Sequence, residues 1–533
     1  MRAKIFFMHS SGLLFARVCR CLWLLQALSL VGQPQSHTRA VESSDFRASL
    51  AEGEKLLRAN EIEKARLKLE EALKLDPASA EAHYLLGIIC EQKRDLPGAV
   101  TAYESALRFS PKMAEAHDRL GFVLGQQEKI QEAIREFEIA VKINPNLFDA
   151  QYHLGATCWW IKDVDRALPA LQRAVQLKPN HAEAHYYLGL AIREKGDLQL
   201  AIEHLREAVR LNPNLAALHM QLGTSLQDYG DLDGAITEFR EALKLNPSLR
   251  DAANSLGLAL IHKGEAEEAV EIFQSLLKTD PDFIPARHNL GTALIQKGDL
   301  EGAIEVYRKL TRMSPDNAEA FYNLGLALKQ KDDFQSAEVE LRKAIALDPS
   351  LPEAHFTLGV VFWQSGRTSD AIQAFRTAIS NKPDYADPHY MLGTVLKQQG
   401  DLDGALSEFR EAIKWRPDSP ESYMSLGQVL QQKHESAAAA SALAEAARLN
   451  RKKADAQSST FAVGVGIEKL KKHDLAGAIE RFREAIRLAP DNAQAHFQLG
   501  LALRTQGVEL EAQKHFDEAR RLAPYLQPPP LGN

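Results

Sequence analysis

From Ala182 to Leu215 the chain reads AEAHYYLGLAIREKGDLQLAIEHLREAVRLNPNL. Apolar and small residues fall at helical spacing in the first half, at Leu188, Gly189 and Ile192. They do so again in the second half, at Ala201, Leu205, Ala208 and Val209. Lys195-Gly196-Asp197 separates the halves. Glycine suits the left-handed residue that ends a helix, and aspartate suits the N-cap of the next. Pro213 then discourages the second helix from continuing. The pattern predicts a helix, a tight turn and an antiparallel helix.

The same pattern returns every 34 residues. With its glycine numbered position 8, the repeat runs without slip from Gly53, Gly87 and Gly121 to Gly427. After five inserted residues it resumes at Gly466 and Gly500. Position 20 is alanine throughout, position 27 is alanine except at Leu276 and Leu310, and position 32 is proline except at Arg451. Small residues at 8, 20 and 27 let helices approach closely. A strict period of this kind reads as stacked units, none able to bury its apolar face alone. Twelve repeats span 46–453 and two span 459–526. Repeat 12 ends in Arg451 rather than proline, so its second helix is expected to lengthen, with a break in the superhelix near the 454–458 insertion.

Leu-Gly at 7 and 8, Ala at 20, an aromatic at 24, Ala at 27 and Pro at 32 together resemble the tetratricopeptide repeat family, over nearly the whole chain. The resemblance implies an all-α fold, a right-handed α-solenoid of about fourteen 34-residue helix-turn-helix repeats. It also implies a non-catalytic scaffold that binds other proteins or extended peptide segments in a concave groove. Two specialised members of the family are matched poorly. Modules that clamp chaperone carboxylates use lysine at 5 and asparagine at 6 and 9. Here no lysine stands at 5, no asparagine at 9, and only Asn289 and Asn323 at 6. The likeness to the asparagine-lined groove of the O-linked GlcNAc transferase is weakened in the same way.

On a helical wheel, positions 2, 5, 9, 12 and 13 of the first helix share a side, which the resemblance places in the groove. Position 5 carries Tyr152, Tyr186, Tyr322, Phe356 and Tyr390. Position 12 carries Trp159, Arg193, Lys329, Trp363 and Lys397. Gln330, Gln364 and Gln398 stand at 13, and Trp160 follows Trp159. Aromatic and arginine side chains are frequent binding anchors, and a glutamine row can donate to and accept from peptide backbone. The competing reading is a solvated polar face whose rings pack on neighbouring helices. Histidines at position 4, such as His83, His117 and His185, read as packing residues. His181 and His185 lack a third metal ligand, and no cofactor is expected.

The chain has 533 residues and a formal net charge of -7. Residues 1–40 hold five basic and no acidic residues, so the remainder is more acidic still. That argues against nonspecific nucleic-acid binding. Arg17 and Arg20 precede an apolar run from Cys21 to Gly32, the length of a signal-peptide core. Residues 1–40 are therefore expected to be a signal peptide and leader, with an uncleaved anchor as the alternative. Export to the periplasm or the medium follows if the source is bacterial. No later run is apolar enough to insert the mature chain in a membrane. Cys90 and Cys158 fall at core positions two repeats apart, beyond disulfide reach. Residues 527–533 form a proline-rich tail. No catalytic domain is expected outside the repeats, and no nucleophile-base set stands out. The alternatives to a scaffold are a self-assembling structural oligomer and an accessory subunit of an envelope enzyme complex.

Overall fold

The computed structural model describes residues 44–526 and Pro528. The leader, and the tail apart from Pro528, lie outside the described residues. Among the described residues there are 27 α-helices and no strand. They alternate as the period predicts, a first helix over positions 1–13 and a second over 17–30, as in Ala182–Glu194 and Leu198–Leu211.

The turn inside each repeat has one left-handed residue, at position 15. Glycine fills it at Gly196 (φ 89°) and Gly264 (φ 88°), where a Cβ would be strained. Elsewhere Asn60, Arg94, Lys162, Asp332 and others adopt it with φ between 59° and 66°. Aspartate at 16 then caps the second helix: Asp197 accepts from the Leu200 N–H at 3.1 Å and Asp401 from Gly404 at 2.9 Å.

Position 8 is a notch for the side chain at position 24. A Cβ on Gly257 would lie 2.3 Å from the Phe273 ring, and one on Gly291 would lie 2.4 Å from the Tyr307 ring. The alanines at 20 are fully buried from Ala65 to Ala512, apart from a trace at Ala439. Burying a ring such as Phe273 contributes about 1.5–3 kcal/mol. Exposed ion pairs contribute less, about 1 kcal/mol at most. They still mark the register. Lysine at 14 reaches an acid at 18 of the preceding repeat in Lys195–Asp165 (2.6 Å), Lys263–Asp233 (2.7 Å) and Lys331–Glu301 (2.9 Å).

Two compact units divide the chain, one through Ser225 and one from Leu226 onward. In the first, Tyr103, Phe137, Leu171 and their neighbours form a continuous core through repeats 2–5. In the second, Phe239, Phe273, Phe375 and Phe409 are fully buried in their own repeats. Repeats 13 and 14 have a separate core around Phe482 and Phe516.

The second helix of repeat 12 is lengthened, as the missing proline predicts. Across 454–458 the backbone itself stays helical. A single helix of 36 residues, Ser436–Lys471, joins the second helix of repeat 12 to the first of repeat 13. From Asn450 to Ser458 six of the nine residues, Arg451 to Ala454, Ala456 and Gln457, are good helix formers, and all nine are exposed except half-buried Asp455. What stops at the insertion is the core, not the backbone.

Candidate functional site

The candidate face lies on the first helices, and repeats 9–12 carry its longest row. Tyr322, Phe356 and Tyr390 are half-buried. Phe356 lies 6.0 Å from Phe375 and 5.4 Å from Tyr385, between ring centroids, and Tyr390 lies 5.8 Å from Phe409. Position 5 thus forms a second aromatic layer over the ring at 24. Burial raises the Tyr322 hydroxyl above its ordinary pKa, opposed by a hydrogen bond with Thr357. Farther along the helices, Trp363 Nε1 donates to Gln398 Oε1 at 3.1 Å, and Lys397 Nζ donates to Gln428 Oε1 at 2.6 Å. Gln330, Gln364 and Gln398 are exposed, and Lys329, Trp363 and Lys397 are half-buried. Gln296, earlier in the glutamine row, spends its amide on the chain itself, donating to the Ile261 carbonyl at 3.1 Å.

The sequence reading missed a diagonal. Position 5 of one repeat hydrogen-bonds position 6 of the next, a step of 35 residues. His153 and Asp118 meet at 2.8 Å, and Asn289 donates to Asn254 at 3.0 Å. Asn323 donates to His288 at 2.8 Å, and Tyr322 pairs with Thr357. Trp363–Gln398 repeats the step between positions 12 and 13. The reading treated each position as a separate row, so the coupling between rows did not show. Gln428, at position 9, was visible on the wheel and was not singled out.

In repeats 4 and 5 the expected aromatic residues divide. Tyr152 does not line a groove: it is 5% exposed, enclosed by Phe148 (5.9 Å), His181 (5.1 Å) and Tyr187 (6.1 Å). Tyr186 is half-buried edge-on to Tyr187 at 5.0 Å, and burial pushes its hydroxyl up to about 12. Trp159 packs on Tyr187 at 5.5 Å with Lys162 Nζ 5.3 Å over its ring. Its Nε1 is buried with no acceptor among the described residues. Trp160 is 37% exposed and Arg193 half-buried. Tyr187, at position 6, was overlooked although it touches both Tyr152 and Trp159.

Histidine at position 4 does more than pack. Its Nε2 faces the carbonyl of the proline that closes the preceding repeat. The distance is 3.1 Å for His83–Pro77, 3.0 Å for His185–Pro179 and 3.0 Å for His355–Pro349. His219, His389 and His496 do the same. In four repeats the other nitrogen meets position 23 of its own repeat. That residue is a carboxylate at His117–Glu136 (2.6 Å) and His389–Glu408 (2.7 Å). It is a second imidazole at His185–His204 (3.1 Å) and His496–His515 (3.0 Å). These contacts tie one repeat to the next. The six-residue spacing from proline to histidine was the signal. Burial pushes the Cys158 thiol up to about 11, and Cys90 is raised too, so neither is an activated nucleophile.

No helix among the described residues is long and apolar enough to cross a membrane. Family models for the tetratricopeptide repeat match residues 50–114 and 161–216, 216–249, and 468–507. The model of the cilia and flagella-associated protein 70 C-terminal domain matches residues 249–462. No curated protein matches the chain. Among solved structures, MamA from Desulfovibrio magneticus RS-1 is 28% identical with a TM-score of 0.30, over 32% of this chain and 96% of that one. A thermophilic TPR protein of Thermus thermophilus is 26% identical, TM-score 0.30, over 34% and 98%. YrrB, a TPR protein with an unusual peptide-binding site, is 24% identical, TM-score 0.33, over 34% and 95%. The in-phase repeats, the helix pairs they fold into and the family models together make this chain a member of the tetratricopeptide-repeat family.

Proposed function

We propose that the chain is a non-catalytic scaffold that takes up extended protein segments along the first-helix face, with repeats 9–12 as the main contact. Tetratricopeptide folds commonly mediate protein interactions. The observation that carries the reading to this face is the cross-repeat row through Trp363, Gln398, Lys397 and Gln428. It presents half-buried rings for apolar side chains and exposed amides for peptide backbone. Lys329 and Lys397 supply positive charge for acidic groups. The test is selection of a phage-displayed random-peptide library on purified protein, comparing the wild type with Trp363→Ala/Gln398→Ala. Removing a buried aromatic anchor costs more than about 2 kcal/mol, roughly thirtyfold in affinity. Capture by the variant equal to wild type would move the site elsewhere.

We also propose export, from Arg17, Arg20 and the Cys21–Gly32 run. N-terminal sequencing of the mature protein should begin between about residues 28 and 41, the span of candidate cleavage sites. An intact Met1 or Met8 in a cytosolic fraction would overturn it.

A further inference from the structure

The long helix leaves two complementary faces uncovered. In most repeats position 3 is alanine with no exposure, as in Ala116, Ala150, Ala184, Ala320 and Ala495. It is covered by the second helix of the repeat before it. Ala150 shares a cluster with Ala140 and Val141, and Ala184 with Ala174 and Val175, positions 27 and 28 of the preceding repeat. Ala48 of repeat 1, which no described repeat precedes, is exposed. Repeat 13 is the exception within the array. Its position 3 is Phe461, 75% exposed, on a groove of about 410 Å³ lined also by Ala462, Val465 and Leu488 and, among its polar residues, by Arg481 and Glu484. Among the described residues nothing covers it, because the second helix of repeat 12 runs straight on into repeat 13 instead of folding back over it.

The other half of this contact, on nearly the same side of the long helix, is bare too. Position 28 of repeat 12 is Ala447, and it is exposed. Internal repeats place Val141, Val175 or Val209 there, and repeat 14 has exposed Arg520. At most of the other junctions a branched residue at 28 meets alanine at 3; leucine, proline and serine take position 3 at Leu218, Pro388 and Ser422. At this junction alanine stands at 28 and phenylalanine at 3. Large and small have changed sides, as a volume-conserving exchange across one contact requires. The two faces fit each other. They cannot meet within one intact helix, where residues 447 and 461 are about 21 Å apart along the axis.

We infer that a second copy of this chain covers Phe461. Repeat 13 of each protomer packs against the second helix of repeat 12 of its partner, a reciprocal exchange in which both junctions form at once. The long helix is the hinge, straightened. The inference does not depend on the peptide-binding reading.

The test uses the full chain carrying Ala447→Cys and Phe461→Cys together, with each single variant and the unmodified chain as controls. Under mild oxidation the double variant is expected to form a disulfide-linked dimer and the controls none. An intrachain disulfide would overturn the inference, because the helix would then break and the chain close on itself. Absence of any disulfide, or dimers in the controls as well, would overturn it too. Light scattering gives an independent reading. The wild type should show twice the 59.2 kDa chain mass, and Phe461→Glu the mass of one chain with an unchanged circular dichroism spectrum. A single-chain mass for the wild type would contradict it.

Discussion

At the scale of single residues, the repeat works by pairing a missing side chain with a large one. Gly257 gives the Phe273 ring its place, and a methyl group there would collide with the far edge of that ring at 2.3 Å. Gly464 is also a helical glycine, yet nothing lies within 4 Å of a Cβ added to it. The two should respond oppositely to alanine. Gly257→Ala should destabilise by about 1–3 kcal/mol through overpacking. Gly464→Ala should stabilise by about 0.5–1 kcal/mol through helix propensity. Chemical denaturation of the two variants checks both signs. The histidine pairs make a second prediction. In His389 both nitrogens face acceptors: burial opposes the charge, but Glu408 and the Pro383 carbonyl outweigh it, and the pKa is raised. Its stabilisation is present below about pH 6.5 and is lost as pH rises through the raised value. His204 and His515 are lowered, first by burial and then by the partner imidazoles His185 and His496. The folded state therefore binds fewer protons there, and stability falls as pH drops below about 6.5. Replacing both by glutamate, as His204→Glu/His515→Glu, recreates the arrangement at Glu136 and Glu408. Thermal unfolding of this variant should lose less on acidification from about pH 7.5 to about pH 5.5 than the wild type does. An equal or larger loss would contradict the assignment.

At the scale of elements, most of the fold was legible. The period located each helix pair, and glycine at 15 with aspartate at 16 marked the turn in repeats such as that of Gly196-Asp197, because glycine favours the left-handed conformation and aspartate the N-cap. The long helix was legible only in part. Arg451 in place of proline removes a stop signal, but whether the chain then bends or runs on depends on packing that local residues do not report. Here Asn450 to Ser458 is helical with almost no burial, so it rests on propensity and flanking support. Such a bridge should open locally at low cost. In the single-chain Phe461→Glu variant, hydrogen exchange measured by mass spectrometry should be faster in 451–458 than in 439–449 or 462–470. Uniform protection along Ser436–Lys471 would mean that something covers the bridge.

At the scale of the whole molecule, the candidate face was legible as a set of positions but not as a surface. Periodicity placed Trp363, Lys397 and Gln398 on one side of their helices. It could not show that Trp363 is already bonded to Gln398, or that Tyr152 would be enclosed by Phe148 and His181. Both depend on the offset between neighbouring repeats, which a one-dimensional register does not contain. The central claim is that protein segments bind along the first-helix face of repeats 9–12. Site-specific photocrosslinking in intact cells tests it most directly, with the photoreactive residue at exposed Gln364 or, as a control, at Val339 on a second helix, 50% exposed. The account predicts crosslinks to foreign polypeptides from Gln364 well above those from Val339, reduced when Trp363→Ala is added. Equal yields from the two sites, or crosslinks only to further copies of the chain, would contradict it.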